Sequence, residues 1–234
     1  MLLLAAALIP PLFLLVKIYK LDKIESEPIG LIIKLFIFGA ITVFPAGFLE
    51  SYLGDGLLKS LIPDTGSILY RFVFYFFVVA LVEELVKYIA LKLGSWNHPA
   101  FDYQFDGIIY SVAVTLGFAA LENIGYVSMF GPGTAAVRAV TAIPGHCIFG
   151  IFMGHYYGMA KKCELMGDTD ASRRFRRLAV ISPMFLHGFY DFAASSDSEM
   201  LSIIFFIYII ILDIFAFRAI NKYAKEDQKM DNMY

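Results

Sequence analysis

Long apolar runs recur along the whole chain, separated by short polar stretches. They fall at about residues 1–19, 29–50, 68–91, 106–130, 135–160, 177–195 and 200–220. A helix needs about 20 apolar residues to cross the hydrocarbon core of a bilayer. The pattern therefore predicts an all-α, polytopic membrane helix bundle of about seven transmembrane helices. It reads as a single integral-membrane domain over residues 1–234, with a core at about 68–195 and peripheral helices at 1–50 and 200–220. The first run, "MLLLAAALIPPLFLLVKIYK", has the length of a signal peptide, but its positive charges follow the apolar stretch instead of preceding it. It reads as a retained helix, kinked at Pro10 and Pro11. No repeat of solenoid length is present.

Composition sharpens this picture. The chain is 59% hydrophobic and 17% charged, with a mean hydropathy of +0.69. A soluble domain of 234 residues could not hide that much apolar surface. The net charge of −2 matters less than where the charges sit. Odd-numbered connections and the C-terminal tail hold Lys17, Lys20, Lys23, Lys92, Lys161, Lys162, Arg173, Arg174, Arg176, Arg177, Lys222, Lys225 and Lys229. Even-numbered connections hold Lys59, and Arg71 if a span boundary is counted. By the positive-inside rule this places the N-terminus outside and the C-terminus in the cytoplasm. The stretch "KKCELMGDTDASRRFRR" reads as a long cytoplasmic loop with its arginines on anionic headgroups, and the tail "NKYAKEDQKMDNMY" as frayed. Cys147 lies in an apolar run and Cys163 in a charged stretch, which argues against a disulfide. No basic nucleic-acid patch, zinc-finger spacing or Gly-rich phosphate loop occurs, so no nucleic-acid partner is expected.

The candidate chemistry lies inside the apolar runs. An ionisable group there costs about 2.5–3.5 kcal/mol at a helix centre and needs a partner or a purpose. Four consecutive spans carry such groups: Glu83, Glu84 and Lys87 in the third; Glu122 and Asn123 in the fourth; Arg138 and His146 in the fifth; His187 and Asp191 in the sixth. At about 1.5 Å per residue, Glu122, His146 and His187 fall at nearly one depth, roughly 12–15 Å from the outer ends of their spans, with Glu83 and Glu84 at about 18 Å. Glu83 stands four residues before Lys87, the spacing of a helical ion pair, which would leave Glu84 as the freer carboxylate facing the interior. His146, Gly150, Gly154 and Gly158 form a stripe at intervals of four that admits a neighbouring backbone. His187 and Asp191 share a face, so the aspartate can orient the imidazole or act as a ligand. Arg138 can bind a carboxylate or carbonyl, or snorkel to headgroups. His155, on the opposite face of the fifth span, and His98, in a loop, read as structural, and Asp213 stands isolated in the seventh span.

The set "EELVK" (Glu83 to Lys87), "FAALEN" (Phe118 to Asn123), Arg138 with His146, and "HGFYD" (His187 to Asp191) resembles the PrsW family of intramembrane proteases over roughly residues 80–195. That family, related to the CAAX-prenyl proteases and to the scaffold subunit of gamma-secretase, is implicated in the first, extracytoplasmic-side cut of a membrane-anchored anti-sigma factor in a stress response. The prenyl-protease branch has a histidine where this chain has Glu122, which favours the PrsW branch. The resemblance implies a protease of the bacterial cytoplasmic membrane acting on a single-pass membrane protein, with Glu83, Glu84, Glu122, His146, His187 and Asp191 as site residues.

Two mechanisms fit these residue types. In one, His146, His187 and Glu122 bind zinc and a Glu83 or Glu84 carboxylate takes a proton from water. In the other, a glutamate activates water unaided, and the histidines with Asn123 stabilise the oxyanion. A proton- or metal-coupled transporter and a non-catalytic membrane scaffold are the other function classes. Against the transporter, the sequence offers no inverted repeat and no second polar layer toward the cytoplasm.

Overall fold

The computed structural model describes residues 2–196 and 198–230. The apolar runs form seven helical segments: α1 (Leu2–Tyr19), α2 (Ile29–Leu61), α3 (68–95), α4 (Asp106–Phe130), α5 (Pro132–Leu165), α6 (Thr169–Ala194) and α7 (Glu199–Lys225). Of these, α2, α4, α5 and α7 are long and apolar enough to cross a membrane. Among the described residues there is no strand, only an isolated bridge between Tyr103 and Lys229.

Helix α4 is the axis of the bundle. Its residues from Asp106 to Ala120 are buried, and α1, α2 and α5 pack along it. Close approach to α5 rests on the stripe that the sequence shows: a Cβ on Gly154 or Gly158 would collide with the α4 backbone at Ile108 or the preceding Gln104. Helix α7 lies outermost. Ile203, Phe206, Ile207, Ile210 and Ile211 stay exposed along it, a surface that hydrocarbon can cover and water cannot favourably wet.

Three local features set helix directions. Gly131, at φ 86°, ends α4 with its N–H donated to the Val127 carbonyl at 2.9 Å, and Pro132 then opens α5 with the φ a first helical residue needs. Helix α5 breaks at Thr141 (φ −124°, ψ −73°), three residues before Pro144, whose nitrogen has no proton to give the Val140 carbonyl. Two stretches, Tyr52–Leu58 in α2 and Phe74–Ala80 in α3, are π-helical, the second ending just before Glu83.

The polar ends differ from the sequence expectation. The supposed loop at 161–177 is mostly helix: α5 runs to Leu165, and α6 starts at Thr169 with the Asp168 side chain accepting from the Ala171 N–H at 2.9 Å. Arg176 pairs with Glu164 and stacks over Trp96 at 4.4 Å, so an internal partner outcompetes the headgroups for it. The tail is docked as far as Met230: the Met230 N–H donates to the Asp102 carbonyl at 2.6 Å, and the Phe105 N–H to Asp227 Oδ1 at 2.9 Å. The end of the tail, 231–234, lies outside the described residues.

Candidate active site

The polar residues of four consecutive helices meet. In α3, Lys87 Nζ donates to Glu83 Oε2 and to Glu84 Oε1, both at 2.8 Å. The ammonium also sits 4.0 Å from the centre of the Phe118 ring, so the phenylalanine of "FAALEN" covers the cation from α4. From α6, His187 presents Nδ1 to Glu84 Oε1 at 2.9 Å and Nε2 to Asp191 Oδ2 at 3.2 Å. Both ring nitrogens thus face carboxylates, and Phe149 of α5 stacks on the ring at 4.9 Å. Gly188 makes this position accessible: a Cβ there would collide with Phe76 in the π-helical part of α3.

The second half of the cluster joins α4 to α5. His146 Nε2 faces Glu122 Oε2 at 3.2 Å, and the two imidazoles, His146 and His187, lie 5.3 Å apart between ring centres. Arg138 grips Glu122 Oε2 at 2.5 Å and Asn123 Oδ1 at 2.9 Å, with its guanidinium 4.0 Å over Tyr126. It is a carboxylate clamp, not a snorkelling residue. Asn123 gives one Nδ2 proton to the Ala7 carbonyl of α1 at 3.0 Å; it is fully buried and does not line the cavity that these groups surround.

A cavity of about 350 Å³ opens among these groups, lined by Glu83, Glu122, Arg138, His146, His187 and Asp191, with Glu50, Tyr126 and Tyr190 on its walls. Glu84 is not part of the lining and is fully buried behind it. The sequence expectation for the adjacent pair is therefore inverted: Lys87 holds both glutamates, and Glu83 is the one that faces the cavity. Glu50 closes the second apolar run and so reads in the sequence as a boundary charge, whereas α2 continues to Leu61. His155 stacks on Tyr223 at 4.3 Å and His98 accepts the Ala100 N–H, both away from the cavity. Asp213 lines a separate apolar pocket with Lys17 and Cys147.

The residues fit a metal ion, though in a different set from the one expected. Ligand-capable atoms of Glu83, Glu84 and His146 lie within 4.8 Å of one another. Two buried atoms in that trio, Glu84 Oε2 and His146 Nδ1, have no hydrogen-bond partner. Glu122 instead takes the other nitrogen of His146, the position from which a carboxylate fixes the tautomer and orientation of a ligating histidine. His187 is committed to Glu84 and Asp191.

Another polar layer lies at the far end of α4, where Asp106, Glu27, Asp22 and Tyr110 gather, contrary to the sequence expectation of none. It is 16 residues from Glu122, about 24 Å along the helix. Between the two layers α4 buries Ile109, Val112, Ala113, Leu116 and Ala119 completely.

A helical bundle with apolar outer faces and a buried histidine–carboxylate centre defines a class: polytopic membrane proteins whose chemistry is kept inside the helix layer. Residues 27–217 match the family described as PrsW family intramembrane metalloprotease. The chain is 38% identical over 196 residues to Protease PrsW of Oceanobacillus iheyensis, covering 84% of each chain. It is 32% identical over 195 residues to Protease PrsW of Bacillus subtilis strain 168, covering 83% of this chain and 84% of that one. With Protease PrsW of Clostridioides difficile strain 630 the identity is 33% over 229 residues, 96% of this chain and 92% of the other. No solved structure matches. The chain belongs to the PrsW family of intramembrane proteases and is a multi-pass protein of the bacterial membrane.

Proposed function

We propose that this protein is an endopeptidase that cuts a single-pass membrane protein of the anti-sigma-factor kind near the extracytoplasmic side, with all seven helices spanning the bilayer and the N-terminus outside. The observation that carries this reading is the cavity itself: five ionisable site residues from four helices face one space of about 350 Å³. That is enough for a peptide bond and a water.

Glu83 is the proton carrier. Held by Lys87, it takes a proton from the water that attacks the peptide carbonyl and gives one to the departing amine. His146 and Glu84, each with one buried atom that has no hydrogen-bond partner, are the residues that would hold a metal, which we take to be zinc. Such an ion polarises water and a peptide carbonyl when bound. Glu122 keeps His146 in the tautomer with Nδ1 free, and Arg138 keeps Glu122 in place. His187, between Glu84 and Asp191, fixes the buried glutamate. The burial of α4 from Ser111 to Ala120, between the two polar layers, where Ser111 and Thr115 are the polar side chains and no ionisable group occurs, weighs against an ion path through the bundle.

The test is cleavage of a single-pass substrate in proteoliposomes, with zinc measured on the same samples by elemental mass spectrometry. Glu83→Gln is expected to lower the cleavage rate at least about a hundredfold while retaining zinc. His146→Ala is expected to lose both. Full cleavage by Glu83→Gln would remove its assigned role, and an active wild-type protein without metal would remove the zinc.

A further inference from the structure

The chain carries a second cluster of acids that the proteolytic site does not use. Asp22 and Glu27 come from the α1–α2 connection and Asp106 from the first turn of α4, and their ligand-capable oxygens lie within 4.8 Å of one another. These are not surface carboxylates in the ordinary sense: Glu27 is 3% exposed and Asp106 1%. Asp106 Oδ2 accepts from the Asp102 and Tyr103 N–H groups at 3.1 and 2.7 Å, but Oδ1 is buried with no hydrogen-bond partner. Asp22 Oδ1 accepts from the Ile24 N–H at 3.1 Å, which folds the connection back over the cluster. Glu27 accepts from the Tyr110 hydroxyl. Among the described residues none of the three acids is in a salt bridge with a lysine or arginine; the nearby Lys229 pairs with Asp102 at 3.2 Å. Buried carboxylates in this number must either hold protons or be met by a positive charge.

We propose that Asp22, Glu27 and Asp106 form a binding site for a hard divalent cation of the calcium or magnesium class, distinct from the proteolytic centre. The donor set is all oxygen, with neither histidine nor cysteine, which selects Ca²⁺ or Mg²⁺ over zinc. Three carboxylate oxygens within 4.8 Å of one another are close enough to touch a single ion. The position also gives the ion a task. It joins the α1–α2 connection to the start of α4, beside the place where Asp227 and Met230 dock the tail. The cation is a clamp at the end of the bundle, roughly 24 Å along α4 from Glu122.

The experiment uses the full chain in detergent micelles, stripped with chelator and titrated with Ca²⁺ and with Mg²⁺ while the thermal midpoint is read. Mn²⁺ bound to the protein is followed in parallel by electron paramagnetic resonance. One of the two cations is expected to raise the midpoint saturably. Glu27→Gln and Asp106→Asn are expected to lose that rise and the bound Mn²⁺ signal. His146→Ala, at the other centre, is expected to keep both. Asp22→Asn, at the least buried of the three acids, provides a variant expected to fold if the other two do not. The proposal is overturned if no cation raises the wild-type midpoint, as when the carboxylates merely share a proton. It is equally overturned if the acid variants respond as the wild type does, or if the signal follows His146.

Discussion

Lys87 is a fully buried lysine bonded to two adjacent carboxylates, and the balance of charge around it decides what each neighbour tolerates. Glu84 is hydrogen-bonded to both Lys87 and His187, whereas Glu83 is bonded to Lys87, lies 3.9 Å from His187 Nδ1 and borders the cavity. Removing one partner of a buried ion pair costs about 3–5 kcal/mol, and less where water can reach the site. Glu84→Gln should therefore lower the thermal midpoint more than Glu83→Gln, although both should lose cleavage; equal midpoints would show that the two carboxylates are equally buried in charge terms. At the other end of α4, burial pushes the Glu27 carboxyl up from 4.5 to about 7, against the lowering effect of its bond from Tyr110. Asp22, Asp102 and Asp106 face it as well. The folded chain then holds the proton more tightly than the unfolded one. This contribution to stability is complete below about pH 4.5 and is lost as pH rises through about 7. With divalent cations chelated, the midpoint should fall between about pH 5 and 8, and Glu27→Gln should flatten that fall; a flat wild-type profile would contradict it.

Among the elements, what could be read from the chain and what could not divide along one line. Runs of apolar residues and the ionisable groups embedded in them are chemical facts of composition, so the helices were visible, as were the six polar residues that the structure brings together. The rotation of a helix about its own axis is not. It decided that Glu83 and not Glu84 borders the cavity, and it depends on the π-helical stretch at Phe74–Ala80, whose phenylalanines and valines read like any apolar run. The bond of Asn123 to Ala7 was hidden for a similar reason, since the two are 116 residues apart. The Gly150, Gly154 and Gly158 stripe was legible because small residues at intervals of four leave a furrow whatever the surroundings. Gly154→Leu should part α4 from α5, whereas Gly125→Leu, where an added Cβ meets open space, should not. Thermal unfolding in detergent compares the two, and equal midpoints would mean that the close approach is dispensable.

At the scale of the whole molecule, the asymmetry of lysine and arginine predicts which end faces the cytoplasm. Asp64, in the connection between α2 and α3, and Gly167, in the turn between α5 and α6, are expected on opposite sides of the membrane. In intact cells a membrane-impermeant thiol reagent should label Asp64→Cys from outside and leave Gly167→Cys unlabelled, in a background lacking Cys147 and Cys163. The reverse pattern would invert the orientation and put the proteolytic cavity near the cytoplasmic side. The wide turns at Phe74–Ala80 carry one more consequence. Because the stretch sits between the start of α3 and the glutamates, it can absorb a change of length. Exchange of one apolar residue for another leaves their aim unchanged. Loss of a single residue there would close the wide turns to ordinary α-helical ones and leave Glu83 and Glu84 facing nearly the same way relative to residues 68–73. The same loss between Leu81 and the glutamates, in ordinary helix, would swing them by about 100°.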